Sequence, residues 1–71
     1  MENLGLRISA NIRKAMKEKK IKNYELAAKL GKTKENLSMF FSRLEKGGGS
    51  NTRVLNEIAE ALEVPLYIFF E

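Results

Sequence analysis

The chain contains no cysteine and no histidine. Disulfide staples are therefore excluded, and the commonest metal-ligand sets are missing. Aspartate is absent too, so every acidic side chain is a glutamate. No paired acid and base with an evident pocket can be drawn from what remains. The sequence thus predicts a protein that is not an enzyme and takes no cofactor, no metal and no small-molecule substrate. No apolar run approaches the ~18 residues that span a bilayer. The opening MENLGLRISANIRK lacks the basic-then-apolar order of a signal peptide, so a cytoplasmic, membrane-free setting is expected. The 71 residues are enough for one domain with a small, local core.

What the chain has instead is lysine and arginine, giving a net charge of +4. The charge is polarised along the sequence. From Arg7 to Lys34 the cations are opposed only by Glu18 and Glu25. After Lys34, Arg43, Lys46 and Arg53 face six glutamates, from Glu35 to Glu71. Such a domain can turn a basic face to a polyanion and keep an acidic back. The basic run from Lys14 to Lys22 has a plainer reading as a solvated helix end, because cations favour helix C-termini. A third reading, a basic amphipathic membrane-surface segment over residues 7–22, fits poorly with the core helices downstream.

Apolar spacing predicts helices throughout and no strand. Ile8, Ile12, Ala15 and Met16 mark a first helix from about Leu6 to Lys19, capped by Asn3 or Ser9. Ile21 anchors the connection. Leu26, Ala27 and Leu30 mark a second helix from about Tyr24 to Leu30, capped by Lys22 or Asn23, with asparagine the better capper. Gly31 suits its C-cap. Thr33 caps a third helix, about 34–45, whose inward side is Leu37, Phe40, Phe41 and Leu44. The glycines after Lys46 end it. They serve as a flexible connector or, less naturally, as an anion cradle, and they lack the lysine of a nucleotide-binding loop. Ser50 or Asn51 caps a fourth helix with Leu55, Ile58, Ala59 and Leu62 inward. Pro65 fits the first turn of a short fifth.

The segment NYELAAKLGKTKENLSMFFSR, Asn23 to Arg43, reads as helix, turn, helix. With Ile21, Leu26-Ala27, Leu30-Gly31, Thr33, Leu37-Ser38, Leu55, Ile58-Ala59, Ala61-Leu62 and Val64, it resembles the small helix-turn-helix domains of phage repressors and Cro proteins, the XRE family. The likeness runs from about Ile8 to Phe69. It implies an all-α, five-helix, lambda-repressor-like domain that binds double-stranded DNA in a sequence-specific way as a small repressor-like transcriptional regulator. In that family helix 2 lies across the backbone and helix 3 enters the major groove. Carried over by position, Lys34, Glu35 and Met39 are the base readers, and Asn23 is the phosphate contact at the start of helix 2. Thr33 and Asn36, with Ser38, contact the backbone. Lys22, Lys32, Arg43 and Lys46 are further phosphate candidates on charge alone.

Two features depart from the family. Many members carry a glutamate, paired with a helix 1 arginine, where this chain has Phe41. That leaves Arg13 for solvent, Glu45 or DNA. The family also turns with a glycine near Arg43, whereas this third helix runs about one turn further.

The ending Leu66-Tyr67-Ile68-Phe69-Phe70 has more apolar residues than one short helix can bury. Tyr67, Ile68 and Phe70 are the expected surface of a two-fold homodimer on a pseudo-palindromic operator. Alternatively, Leu66 and Phe69 fill the core and leave the others partly exposed. The rival function is a protein-interaction module on the same scaffold, antitoxin-like or an anti-regulator. Retention on duplex DNA at low salt, lost as salt rises, separates the two.

Overall fold

The computed structural model describes residues 4–47 and 52–71. They form four α-helices and a closing 3-10 helix, with no strand among them. The α-helices are α1 (Leu4–Lys19), α2 (Asn23–Lys29), α3 (Lys34–Glu45) and α4 (Thr52–Leu62). The fold class is all-α. The expected fifth α-helix is instead the 3-10 helix Leu66–Phe70. The caps expected at Asn3, Ser50 and Asn51 lie outside the described residues.

One core holds the elements together. Ile8, Ile12, Ala15 and Met16 of α1 meet Leu26 and Ala27 of α2, Leu37, Phe41 and Leu44 of α3, and Leu55, Ile58, Ala59 and Leu62 of α4. The helix α1 packs on α3, α4 and the 3-10 helix, while α2 packs on α3 and α4. At seven residues, α2 is too short to persist alone and depends on that packing. Phe40 was expected inward with Phe41 but is only partly buried. It stands edge-on to the Phe41 ring, at the margin of the stripe that α1 and α2 cover.

The 3-10 helix explains which C-terminal side chains are buried. Three residues per turn put i and i+3 on one face. Leu66 and Phe69 share the inner face, and Phe69 is wholly buried. Tyr67 and Phe70 share the outer face, 66% and 41% exposed, and Ile68 falls between. The Asn11 side-chain amide donates to the carbonyls of Phe69, at 3.0 Å, and Glu71, at 3.1 Å. The end of the chain is thereby fastened to α1.

Three helices stop in the same way. The residue after the last turn takes positive φ: Lys20 after α1, Gly31 after α2, Glu63 after α4. In each case two amides bond back to the helix. For α2, Gly31 N–H donates to Ala28 and Lys32 N–H to Ala27. The equivalent pairs are Lys20 to Lys17 with Ile21 to Met16, and Glu63 to Glu60 with Val64 to Ala59. This is the Schellman ending, which glycine makes most easily. A Cβ at Gly31 meets nothing within 4 Å, so Gly31→Ala pays only for the backbone. We expect it to lose about 1 kcal/mol in urea unfolding. Lys20→Gly and Glu63→Gly should each gain up to about 1 kcal/mol, the same effect with opposite sign. Identical midpoints for all three variants would refute this.

Candidate nucleic-acid interface

The turn between α2 and α3 is set by two caps and one glycine. Lys22, rather than Asn23, is the N-cap of α2. Its backbone N–H donates to Glu25 Oε1 at 3.0 Å, the acidic half of a capping box, which ties the cap to the first turn. Asn23 is the first residue inside the helix. After Gly31, the Thr33 hydroxyl accepts from the Asn36 N–H at 3.1 Å and starts α3.

The exposed residues of α3 fall into three groups. Glu35, Met39, Ser42 and Lys46 form the stripe opposite the core, and all are exposed. Met39, at 54%, is a large apolar side chain left open to solvent there. Lys34 and Ser38 lie on the neighbouring stripe that continues into Phe41 and Glu45, toward α1. Asn36 and Arg43 lie on the other side, where they border a hollow with Lys32 and Val54. The three residues predicted to read bases are therefore not together. Glu35 and Met39 share a stripe, and Lys34 does not.

Lys34 instead borders a second, shallow hollow, open to solvent, where α1, the start of α2 and the start of α3 meet. Arg13 and Lys17 come from α1, Lys22, Asn23 and Tyr24 from the start of α2, and Met16 and Ile21 line its floor. Lys17 and Tyr24 were not among the residues the sequence singled out. Lys17 follows Arg13 by four positions, the spacing that puts two side chains on one helix face, and this was the signal available.

Arg13 goes to Glu45. Its Nη2 donates to Glu45 Oε2 at 3.1 Å, and its guanidinium lies over the Phe41 ring, 4.7 Å from the centroid. The Ser9 hydroxyl donates to the same carboxylate oxygen and accepts from Arg13 Nε at 3.3 Å. Ser9 is therefore a buried mid-helix residue tying α1 to α3, not the cap of α1, which begins at Leu4. The apolar replacement at Phe41 stacks on the arginine, and the acidic partner sits one turn later. The arrangement also offsets a carboxylate in the last turn of a helix, where the dipole disfavours it.

The Ser9 hydrogen bond, then the Arg13 charge, hold the Glu45 carboxyl below its ordinary range against partial desolvation. A depressed carboxylate stabilises the fold above its unfolded value, near ~4.3, and loses that contribution as pH falls through its folded value. The ion pair is partly solvated, with side chains 52% and 35% exposed, so its worth is under about 1 kcal/mol. The thermal midpoints of wild type and Glu45→Gln should thus differ at neutral pH and converge on acidification below ~4. A constant offset across that range would count against the tie.

Among the described residues, no group of three or more His, Cys, Asp or Glu is placed to hold a metal ion. No described helix is long and apolar enough to cross a membrane. No curated protein and no solved structure matches the chain. A family model for the Cro/C1-type helix-turn-helix DNA-binding domain matches residues 11–66, which takes in α2, α3 and α4 whole and stops as the 3-10 helix begins. With its helix, glycine turn and threonine-capped helix at the centre of that match, the chain belongs to the Cro/C1-type helix-turn-helix DNA-binding domains.

Proposed function

We propose that this domain binds double-stranded DNA in a sequence-specific way as a small repressor-like regulator in the cytoplasm, with α3 as its recognition helix. The observation that carries the reading is the outer stripe of α3. Leu37, Phe41 and Leu44 fix one side of the helix in the core, and Glu35, Met39, Ser42 and Lys46 stand exposed on the other. The major groove admits one α-helix, and a carboxylate and a methionine are suited to base edges: cytosine N4 donates, and the thymine methyl is apolar. Lys22, Asn23, Lys32, Thr33, Asn36, Ser38, Arg43 and Lys46 are the backbone contacts in this reading. All are exposed; Lys46 lies at the end of the stripe itself.

Tyr67 and Phe70, with the open edge of Ile68, form the surface of a two-fold homodimer. Two copies place two α3 helices about one DNA turn apart, which calls for a pseudo-palindromic operator. Selection of bound duplexes from a random pool tests the whole reading. The expected result is an enriched pseudo-palindrome whose binding falls steeply with salt. A pool that shows no enrichment defeats it. Sedimentation at micromolar concentration tests the dimer. Wild type should sediment as two copies and Phe70→Ser as one, and a wild type that stays monomeric on its operator removes the dimer.

A further inference from the structure

We infer that Met39 is a reversible oxidation site, at which a peroxide converts the thioether of the DNA-free protein to a sulfoxide that no longer reads its base. The inference rests on the DNA-binding reading above and adds a chemical control of the same stripe.

The first ground is the chemistry of the chain. With no cysteine and no tryptophan, all of its sulfur is thioether, carried by three methionines. Two of them are among the described residues. Met16 is 5% exposed, packed in the core cluster, whereas Met39 is 54% exposed. Oxidation of sulfur follows access, so a peroxide meets Met39 and is kept from Met16.

The second ground is position. Met39 stands on the outer stripe of α3, with Glu35 one turn before it and Ser42 one turn after, all exposed. A groove laid on that stripe covers the sulfur. The site is therefore open in the free protein and shut on the operator.

The third ground is the surroundings of the product. Met39 borders the hollow that Lys32, Asn36 and Arg43 also line, and no carboxylate lines it among the described residues. All three of those side chains carry hydrogen-bond donors. A sulfoxide oxygen is an acceptor, so the oxidised side chain has partners on the protein and loses its match to a thymine methyl.

The step is a two-electron transfer. A sulfur lone pair attacks one peroxide oxygen, the S–O bond forms and the O–O bond breaks. The second oxygen leaves as hydroxide and takes the proton of the new S–OH group, departing as water. Sulfur is oxidised and the peroxide reduced. A flexible apolar side chain becomes polar and chiral.

Hydrogen peroxide is the probe, and peptide mass spectrometry reads the added oxygen. Met39 should gain it several times faster than Met16, and more slowly when the selected operator is bound. Oxidised wild type should keep its circular dichroism spectrum and bind the operator about tenfold more weakly. It should also stop distinguishing thymine from deoxyuracil at the Met39 position. The two methionine sulfoxide reductases, one for each sulfoxide epimer, should restore both properties. Met39→Leu, whatever its own affinity, should bind equally before and after peroxide, although it retains Met1 and Met16. Equal oxidation of Met16 and Met39 overturns the inference. So does unchanged operator binding by fully oxidised protein, an equal loss in Met39→Leu, or a loss of helical signal on oxidation. Each of these leaves DNA binding by the reduced protein intact. A reduced wild type that binds no duplex overturns the parent reading, and this one with it.

Discussion

Phe69→Ala is expected to remove about 3–5 kcal/mol of folding stability, the usual cost of truncating a buried phenylalanine. A chain of 71 residues has about 4–11 kcal/mol in total at ordinary stability per residue. The variant should therefore be largely or wholly unfolded where wild type is folded, a change that thermal or urea unfolding reads directly. The size of the effect follows from where the ring lies. Phe69 has no exposed surface and sits in the cluster that also holds Ile8 and Ile12 of α1. Truncating it opens a cavity at the joint between the 3-10 helix and the helix on which α3 is mounted. Phe70 provides the internal control. One position further on, it occupies the opposite face of the 3-10 turn, and Phe70→Ser should shift the monomer's stability by no more than about 0.5 kcal/mol. Equal losses at the two positions would contradict the three-residue period of this segment.

Glu35→Gln is expected to change which base the domain prefers at one operator position. A glutamate accepts from cytosine N4, whereas glutamine pairs bidentately with adenine N6 and N7. The discrimination at stake is about 1–3 kcal/mol, or roughly 5- to 150-fold in relative affinity. Removing a carboxylate from beside the phosphates should also raise affinity for all duplexes alike. Met39→Ala should relax a preference for thymine. Replacing that thymine by deoxyuracil, which lacks the methyl, should reproduce the relaxation in wild type and have no further effect in the variant. Residues 35 and 39 are one helical turn apart, about 6 Å along α3, so the two affected positions should lie within two base pairs of each other. Lys22→Ala, by contrast, should weaken all sequences evenly. Glu35 and Met39 variants that select the wild-type operator unchanged would remove α3 from base reading.

Much of this architecture is written in local sequence. The buried apolar residues of all four α-helices are among those that spacing picks out, though spacing also picks Phe40 and Leu30, which are only partly buried. Gly31 and Thr33 mark the turn because their chemistry is specific: one takes positive φ without strain, the other offers an oxygen to Asn36 N–H. Side-chain pairings between helices were harder to read. Ser9 looked like a cap because serine so often is one, and its partner Glu45 lies 36 residues away, beyond any periodic pattern. Of the two caps the sequence offers for α2, side-chain chemistry favours Asn23, yet the cap is Lys22, whose N–H is held by Glu25 three residues inside the helix. The grouping of Lys34 with Lys17 and Lys22 depends on how α1 crosses α3, which no single helix encodes. The family likeness placed all three base-reading candidates at one end of α3 but carries no information about which stripe each occupies.

The fastening of the last residues to α1 has a consequence for the order of events during synthesis. Asn11 and Phe69 are separated by 58 positions, and their meeting closes nearly the whole chain into a loop. Contacts within and between neighbouring helices form in microseconds to milliseconds, but a closure of this span must wait for both of its ends. On the ribosome α1, α2 and α3 emerge first, while the core lacks its largest wholly buried side chain. The nascent domain therefore cannot become fully stable until Phe69 has left the exit tunnel. Its capacity to present α3 in a fixed pose should switch on only once Phe69 can reach the core, and not accumulate helix by helix.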